Sequence, residues 1–335
     1  MNKTTPTISI VLPAYNECMN IPSLIQVIQA EMRCHEVPYE IIVVDDGSSD
    51  ETWPVLSRLG QEPWFSESGQ LHCLQLSRNF GKESAVFAGL ETARGQAVIV
   101  MDCDHQHPPQ LISEMIQLWR ESHVDVVEAV KSHRGKESLL KRLGSESFYA
   151  LFRMLSGHDL KGSCDYKLLD RAVVDALLHM GERNLFFRGM VQWLGFKRHT
   201  LTFEVPERRA GISGWPIARL IKMSIQAITA YSFVPLRLVA VTGLLFLIAA
   251  LLLAGYTLVY KLLGLAVSGF TTVILLQLIT GSTCMLSIGV TGEYIARIYE
   301  EVKRRPRYVI AHQSVFDGQR EAEPADSRLQ DTTAR

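Results

Sequence analysis

Along the first 210 residues, short apolar runs alternate with stretches in which apolar positions recur every three or four residues. The runs at Ile8–Leu12, Glu40–Val44, Leu71–Leu76, Ala97–Met101 and Asp125–Val130 read as strands. Between them, roughly 20–34, 50–59, 82–93 and 108–122 carry helical spacing. Such alternation predicts an α/β fold, a mostly parallel sheet with helices on both faces. In sheets of this kind ligands bind outside the carboxyl ends of the strands. The polar clusters fall at those ends: Pro13-Ala14-Tyr15-Asn16-Glu17, Asp45-Asp46-Gly47-Ser48 and Asp102-Cys103-Asp104.

The pattern changes beyond residue 236. Between Arg237 and Lys261 lie 23 residues without a charge, and Leu262 to Gly292 adds another 31. A bilayer span needs about 20 apolar residues, so two transmembrane helices are expected, at about 238–260 and 270–292. Arg219, Lys222 and Arg237 precede the first, and Arg297, Lys303, Arg304, Arg305 and Arg307 follow the second, while the connecting loop holds only Lys261. The positive-inside rule then places both termini in the cytoplasm. Lys131, Arg134, Lys136, Lys141 and Arg142 lie just ahead of Phe148-Tyr149-Ala150-Leu151-Phe152, and Ile217–Phe233 carries Arg219 and Lys222. Both read as basic amphipathic elements at a membrane surface. The expected organisation is a cytoplasmic domain over 1–210, interface helices over 211–236, two spans within 237–296 and a cytoplasmic tail over 297–335. From 313 onward that tail is polar and is expected to be disordered.

Composition adds exclusions. With 34 Lys+Arg against 35 Asp+Glu the net charge is −1, which gives no argument for nucleic-acid binding. Mean hydropathy of +0.09 is an average over a polar part and the two apolar stretches. The six cysteines form no C-x-x-C pair, which argues against a zinc ribbon or a disulfide scaffold. The segment before Ile8 lacks the apolar core of a secretory signal.

Asp102-Cys103-Asp104 sets two carboxylates one residue apart at a strand end, where they can hold a hard divalent cation that also touches a diphosphate. His105 and His107 follow, but with no obvious third ligand they do not make a zinc site. In Asp45-Asp46-Gly47-Ser48-Ser49-Asp50, Ser49 or Asp50 suits a helix cap, and one of the two leading carboxylates is available to a base or ribose. Gly81-Lys82 at a helix start suits a phosphate. Neither G-x-x-x-x-G-K-[ST] nor G-x-G-x-x-G occurs in the required context, so kinase, ATPase and nicotinamide-dinucleotide readings lack their signatures.

Taken in order, LPAYNE (12–17), VVDDGSSD (43–50), SRNFGKESA (77–85), MDCDHQHPP (101–109), YKLLDR (166–171), ERNLFFRG (182–189), PERRAGIS (206–213) and GEYIARIYEEVKRRPRY (292–308) resemble the family 2 glycosyltransferases that load a sugar onto a polyprenyl phosphate. Bactoprenol glucosyltransferases and dolichol-phosphate mannose synthases are of this kind, and the two carboxy-terminal spans look more like the former. The resemblance covers about residues 6–310. It implies a GT-A fold, a nucleotide-sugar donor, Mg²⁺ or Mn²⁺, and a bacterial inner-membrane location. By motif, Pro13, Tyr15, Glu17 and Asp46 would line the nucleotide. Asp102 and Asp104 would hold the metal with Gln106 beside it, and Lys131 and Arg134 would hold the acceptor phosphate. The chain departs from the pattern at His105, usually Leu, at Lys167, often Arg, and at Gly214-Trp215, often Lys-Tyr. The implied reaction is an inverting transfer of one hexose, glucose from UDP-glucose first, to undecaprenyl phosphate. Mannose, N-acetylhexosamine and a modified arabinose stay open, as do a homo-oligomeric state and a non-catalytic nucleotide-binding role. A processive synthase would carry Q-x-x-R-W, which is absent.

Overall fold

The computed structural model describes residues 7–35, 37–61, 69–131, 163–183, 185–203, 234–263 and 269–317. The chain divides into two compact units. One comprises Met1–Gly144, Leu160–Ile212 and Pro306–Arg335, the other Ser145–Asp159 and Ser213–Arg305.

The first unit is built on an eight-stranded mixed sheet. Its first half runs β1 (Ile8–Ala14), α1 (Ile21–Arg33), β2 (Tyr39–Asp45), α2 (Thr52–Leu59), β3 (Gly69–Leu76), α3 (Lys82–Thr92), β4 (Ala97–Val100) and α4 (Leu111–Ser122). It continues with β5 (Val126–Lys131), β6 (Ser163–Asp170), α5 (Arg171–His179), α6 (Phe187–Trp193) and β7 (Arg198–Phe203). A last strand, β8 (Ile310–Asp317), joins after the second unit. The spatial order is β7-β5-β6-β4-β1-β2-β3-β8. Pairs β1–β2, β1–β4, β2–β3 and β5–β7 are parallel, whereas β3–β8, β4–β6 and β5–β6 are antiparallel.

The central strands are mostly apolar because both faces are covered, and the polar Ser9 of β1 and Glu40 of β2 are buried against each other. Every residue of β1 and β2 is buried. Successive side chains still go to opposite layers. Ile10, Leu12, Ile41 and Val43 pack with α1, α2 and α4, whereas Val11, Ile42 and Val44 pack with α3, α5 and α6. Helix α3 lies close on β1, with Gly89 facing the Val11 side chain. From β1 the chain winds outward through β2 and β3, then returns to place β4 on the other side of β1. This reversal opens a crevice at the carboxyl ends of β1 and β4, the usual ligand position in open α/β sheets.

Strand β8 corrects the expectation of a disordered tail from residue 313. Residues 313–317 pair antiparallel with β3, from Leu74↔Gln313 to Gln70↔Asp317. Without β8, the polar groups on that edge of β3 would have no strand partner. Phe316 is buried in the first core layer, and its ring faces Gly60. Upstream, the Ser77 N–H donates to the Val309 carbonyl at 2.8 Å. Tyr308 donates to Glu91, and the Arg307 guanidinium lies 5.2 Å from the Phe87 ring centre. The remainder of the expected tail, 318–335, lies outside the described residues.

The second unit contains α7 (Val234–Leu262) and α8 (Phe270–Lys303). Both are long and apolar enough to cross a membrane, and no residue of their most apolar windows is buried. They contain the expected spans, but α8 runs 11 residues beyond 292. The expected interface elements around 132–152 and 217–233 lie outside the described residues.

Candidate active site

The crevice is walled by three loops that bind one another. After β1, Asn16 takes a left-handed conformation at φ 57°, which Asn tolerates better than most residues. Its N–H donates to Ser48 Oγ at 2.9 Å, and its Oδ1 accepts from the Ser49 N–H at 2.9 Å. The Glu17 N–H donates to Thr52 Oγ1 at 3.0 Å, and the Glu17 carboxylate accepts from Asn20 Nδ2 at 2.6 Å. Pro13 is buried in β1, and Tyr15 beside this junction is 47% exposed. Burial raises the Glu17 carboxyl above its ordinary value, and Asp104 and Asp102 push it the same way, against the Asn20 hydrogen bond.

The two adjacent aspartates close the turn after β2. Asp45 accepts from the Ser48 N–H at 2.9 Å and from Gln75 Nε2 at 3.0 Å, so both of its oxygens are engaged within the protein. Asp46, also buried, accepts from the Phe80 N–H at 2.7 Å and the Gly81 N–H at 2.9 Å. It thereby fastens the loop that starts α3. Burial raises the Asp46 carboxyl, although those two amides favour its charge. Gly47 must be glycine. Its φ is 64°, and a Cβ would lie 2.8 Å from Arg78 Cα and from the Asn79 nitrogen.

The D-x-D turn follows β4. Asp102 is partly exposed and Asp104 is exposed. Cys103 is buried between them, donating to the Pro13 carbonyl at 3.4 Å. The Asp102 N–H donates to His107 Nδ1 at 3.0 Å, and the buried His107 ring stacks on Tyr166 at 4.9 Å. The Gln106 N–H donates to Asp104 Oδ1 at 3.1 Å. His105 takes φ 56° and meets Ser23 Oγ at 3.0 Å. Each histidine of the motif thus has a structural contact. Among the described residues no group of three His, Cys, Asp or Glu side chains forms a ready-made metal cage.

Lys82, at the start of α3, reaches across the crevice. Its Nζ lies 2.6 Å from Asp102 Oδ1 and 2.5 Å from Asp165 Oδ2. Asp165, on β6, also receives the Arg188 fork, with Nε at 2.6 Å and Nη2 at 2.9 Å. Burial alone would lower Lys82, but Asp102 and Asp165 more than reverse it and raise it above the ordinary value. For Asp165, burial acts upward, and Arg188 and Lys82 overcome it to hold the carboxyl below the usual range. Glu83 accepts from the Phe187 N–H at 2.9 Å, tying α3 to the start of α6 and so to Arg188. Burial and the nearby Asp165 push the Glu83 carboxyl up.

Asp165, Arg188 and Glu83 are functional candidates that reading single motifs missed. Glu83 and Arg188 lie within SRNFGKESA and ERNLFFRG, and Asp165 immediately precedes YKLLDR. The juxtaposition of these stretches was the available signal. Lys167 forms a buried ion pair with Glu128, its register partner on β5. Lys131 ends β5, and its side chain, like Arg134, lies outside the described residues.

This crevice, with an acidic turn after β4 and a polar loop after β1, falls within a stretch that matches a known family. Residues 9–178 match glycosyl transferase family 2. The chain belongs to glycosyl transferase family 2. It is a glycosyltransferase, and its sheet unit is a GT-A fold. The bactoprenol glucosyl transferase of Shigella phage SfII is 35% identical over 308 residues, covering 90% of this chain and 97% of that protein. The prophage bactoprenol glucosyl transferase homolog of Escherichia coli (strain K12) is 35% identical over 311 residues, covering 90% and 98%. Among solved structures, glucosyl-3-phosphoglycerate synthase from Mycobacterium tuberculosis with Mn²⁺, UDP and phosphoglyceric acid is similar at a TM-score of 0.46. It is 20% identical, over 67% of this chain and 76% of that one.

Proposed function

We propose that this glycosyltransferase moves one glucose from UDP-glucose to a polyprenyl phosphate at the cytoplasmic face of a membrane. The observation that carries this reading is the combination of an acidic family 2 crevice with two helices long and apolar enough to cross a bilayer. A water-soluble donor needs the crevice and a lipid acceptor needs the membrane. The similarity to bactoprenol glucosyl transferases along nearly their whole length supports both halves.

Asp102 and Asp104 fit a divalent ion. Hard carboxylate oxygens suit Mg²⁺ or Mn²⁺, which protein sites commonly hold through one or two carboxylates completed by substrate phosphates. The pressure of both aspartates on Glu17 marks a concentration of negative charge at this strand end. A bound ion would offset the charge on the departing nucleoside diphosphate, with Gln106 beside it. We assign Tyr15 and Glu17 to the nucleotide, with Asp45 and Asp46 holding the loops beside them.

The acceptor needs no base. A phosphate monoester has a second pKa near 6, so its oxygen is already anionic at pH 7. Asp165 suits such chemistry as a fixed charge, since Arg188 and Lys82 keep it ionised and poor at taking a proton. What the acceptor requires is cations to bring its dianion toward the donor, and we assign this to Lys131 and Arg134. The test is incubation of membranes with polyprenyl phosphate and a panel of UDP- and GDP-sugars, with mass analysis of the lipid. UDP-glucose should give a hexosyl lipid. A different sugar product would move the donor assignment, and no product with any sugar would overturn the reading.

A further inference from the structure

We infer that Lys82 holds the place of the divalent cation on Asp102 until a diphosphate arrives, so that metal and nucleotide enter the site together. This rests on the proposed assignment of Asp102 as a metal ligand. The Lys82 ammonium meets Asp102 Oδ1 at 2.6 Å and Asp165 Oδ2 at 2.5 Å. It bridges carboxylates from two antiparallel neighbours, the end of β4 and the buried face of β6. Asp165 does not depend on Lys82 for its charge balance, because Arg188 binds both of its oxygens. Asp102 stands differently. Its one ion pair among the described residues is with Lys82, so a metal approaching Oδ1 competes with an ammonium already seated there.

The remaining carboxylate of the turn, on exposed Asp104, already accepts the Gln106 N–H at 3.1 Å. One or two carboxylates without phosphate oxygens make a weak site for Mg²⁺ or Mn²⁺. A nucleoside diphosphate changes both terms. Its oxygens complete the coordination, and its negative charge gives Lys82 an alternative partner. Lys82 is 41% exposed on its side chain and Asp102 27%, so the ammonium can swing toward a ligand in the crevice without leaving a buried charge unpaired. Lys82 is therefore a positioning residue. It keeps the acidic turn neutralised when empty and transfers its charge to the donor on binding.

The experiment is a Mn²⁺ titration of the full-length protein in detergent, read from the electron paramagnetic resonance signal of free Mn²⁺, with no sugar or lipid present. In the wild type, Mn²⁺ alone should bind at least about tenfold more weakly than Mn²⁺ with UDP. In Lys82→Met and Lys82→Gln, Mn²⁺ alone should bind about tenfold more tightly than in wild type, and the gain from UDP should shrink by the same factor. Lys82→Arg should restore wild-type behaviour, and adding Asp102→Asn to Lys82→Met should remove the gain. Unchanged or weaker Mn²⁺ binding in the folded Lys82 variants would overturn the inference. Should both neutral variants fail to fold, the wild-type titration, corrected for Mn²⁺ bound by UDP in a protein-free control, decides: equal affinity with and without UDP overturns the inference, and a coupled affinity supports it. No sugar transfer to lipid phosphate alongside intact Mn²⁺ exchange would sink the proposed function and leave Lys82's role standing.

Discussion

Asp165→Asn should destabilise the sheet unit by about 2–3 kcal/mol at pH 7. Its carboxylate, 6% exposed, accepts from Arg188 at 2.6 and 2.9 Å and from Lys82 at 2.5 Å. Removing one partner of a buried ion pair costs about 3–5 kcal/mol. The Arg188 and Lys82 side chains are 34% and 41% exposed, so water compensates part of their loss and lowers the figure to about 2–3 kcal/mol. For a unit of this size each kcal/mol moves the thermal midpoint by about 2–4 °C, giving a fall on the order of 4–12 °C. Trp53, Trp119 and Trp193 lie in the sheet unit, and the other two tryptophans, Trp64 and Trp215, lie outside the described residues. Urea unfolding of the detergent-solubilised chain carrying Trp64→Phe and Trp215→Phe, followed by tryptophan fluorescence, therefore reads the sheet unit. The pH dependence has a definite sign. The folded-state carboxyl is held below its unfolded value, so its contribution is complete above about pH 4–5 and is lost as pH falls further. The gap between wild type and Asp165→Asn should narrow below about pH 4, where the Asp165 carboxyl takes a proton. A gap under about 0.5 kcal/mol at pH 7, or one that widens below about pH 4, would refute the reasoning.

Four other outcomes are expected. Gly47→Ala should lower the urea-derived stability by at least about 1–2 kcal/mol, because its left-handed backbone and the nearby 78–79 chain both oppose a Cβ; an unchanged midpoint would contradict this. Asp104→Asn should reduce sugar transfer on the order of 10²-fold in a lipid-product assay, and full activity with excess chelator would end the metal assignment. Phe316→Ala should cost about 2–4 kcal/mol in the same urea titration, since its ring is buried in the sheet core; a loss under about 0.5 kcal/mol would show that β8 packs only loosely. A cysteine introduced at Val267 should react with an impermeant reagent from outside intact cells while one at Gly318 should not, and equal labelling would sink the two-span topology.

Much of the fold was legible because its cause is local. A parallel strand covered on both faces is mostly apolar, so β1, β2 and β4 could be read as short apolar runs despite Ser9 and Glu40. A helix able to cross a bilayer must exclude charge over about 20 residues, and the 23 uncharged residues before Lys261 lie within α7. The D-x-D motif was visible for a similar reason, since two carboxylates one residue apart need no distant partner to be recognised.

Tertiary structure decided the rest. Residues 310–317 hold two short apolar pairs, Ile310-Ala311 and Val315-Phe316, split by three polar residues, and they become β8 because β3 otherwise presents an open edge. Asp45 and Asp46 looked available in the sequence, but in the fold their oxygens are taken by Ser48, Gln75 and the amides of Phe80 and Gly81. Lys82 and Asp165 are 83 positions apart, and Asp165 and Arg188 are 23 apart. Their ion network exists because β6 lies antiparallel beside β4 and because α3 and α6 begin near the same crevice. Hydrophobic burial follows a short-range pattern that a sequence displays directly. Charge pairing depends on distances in space, and only the folded chain sets those.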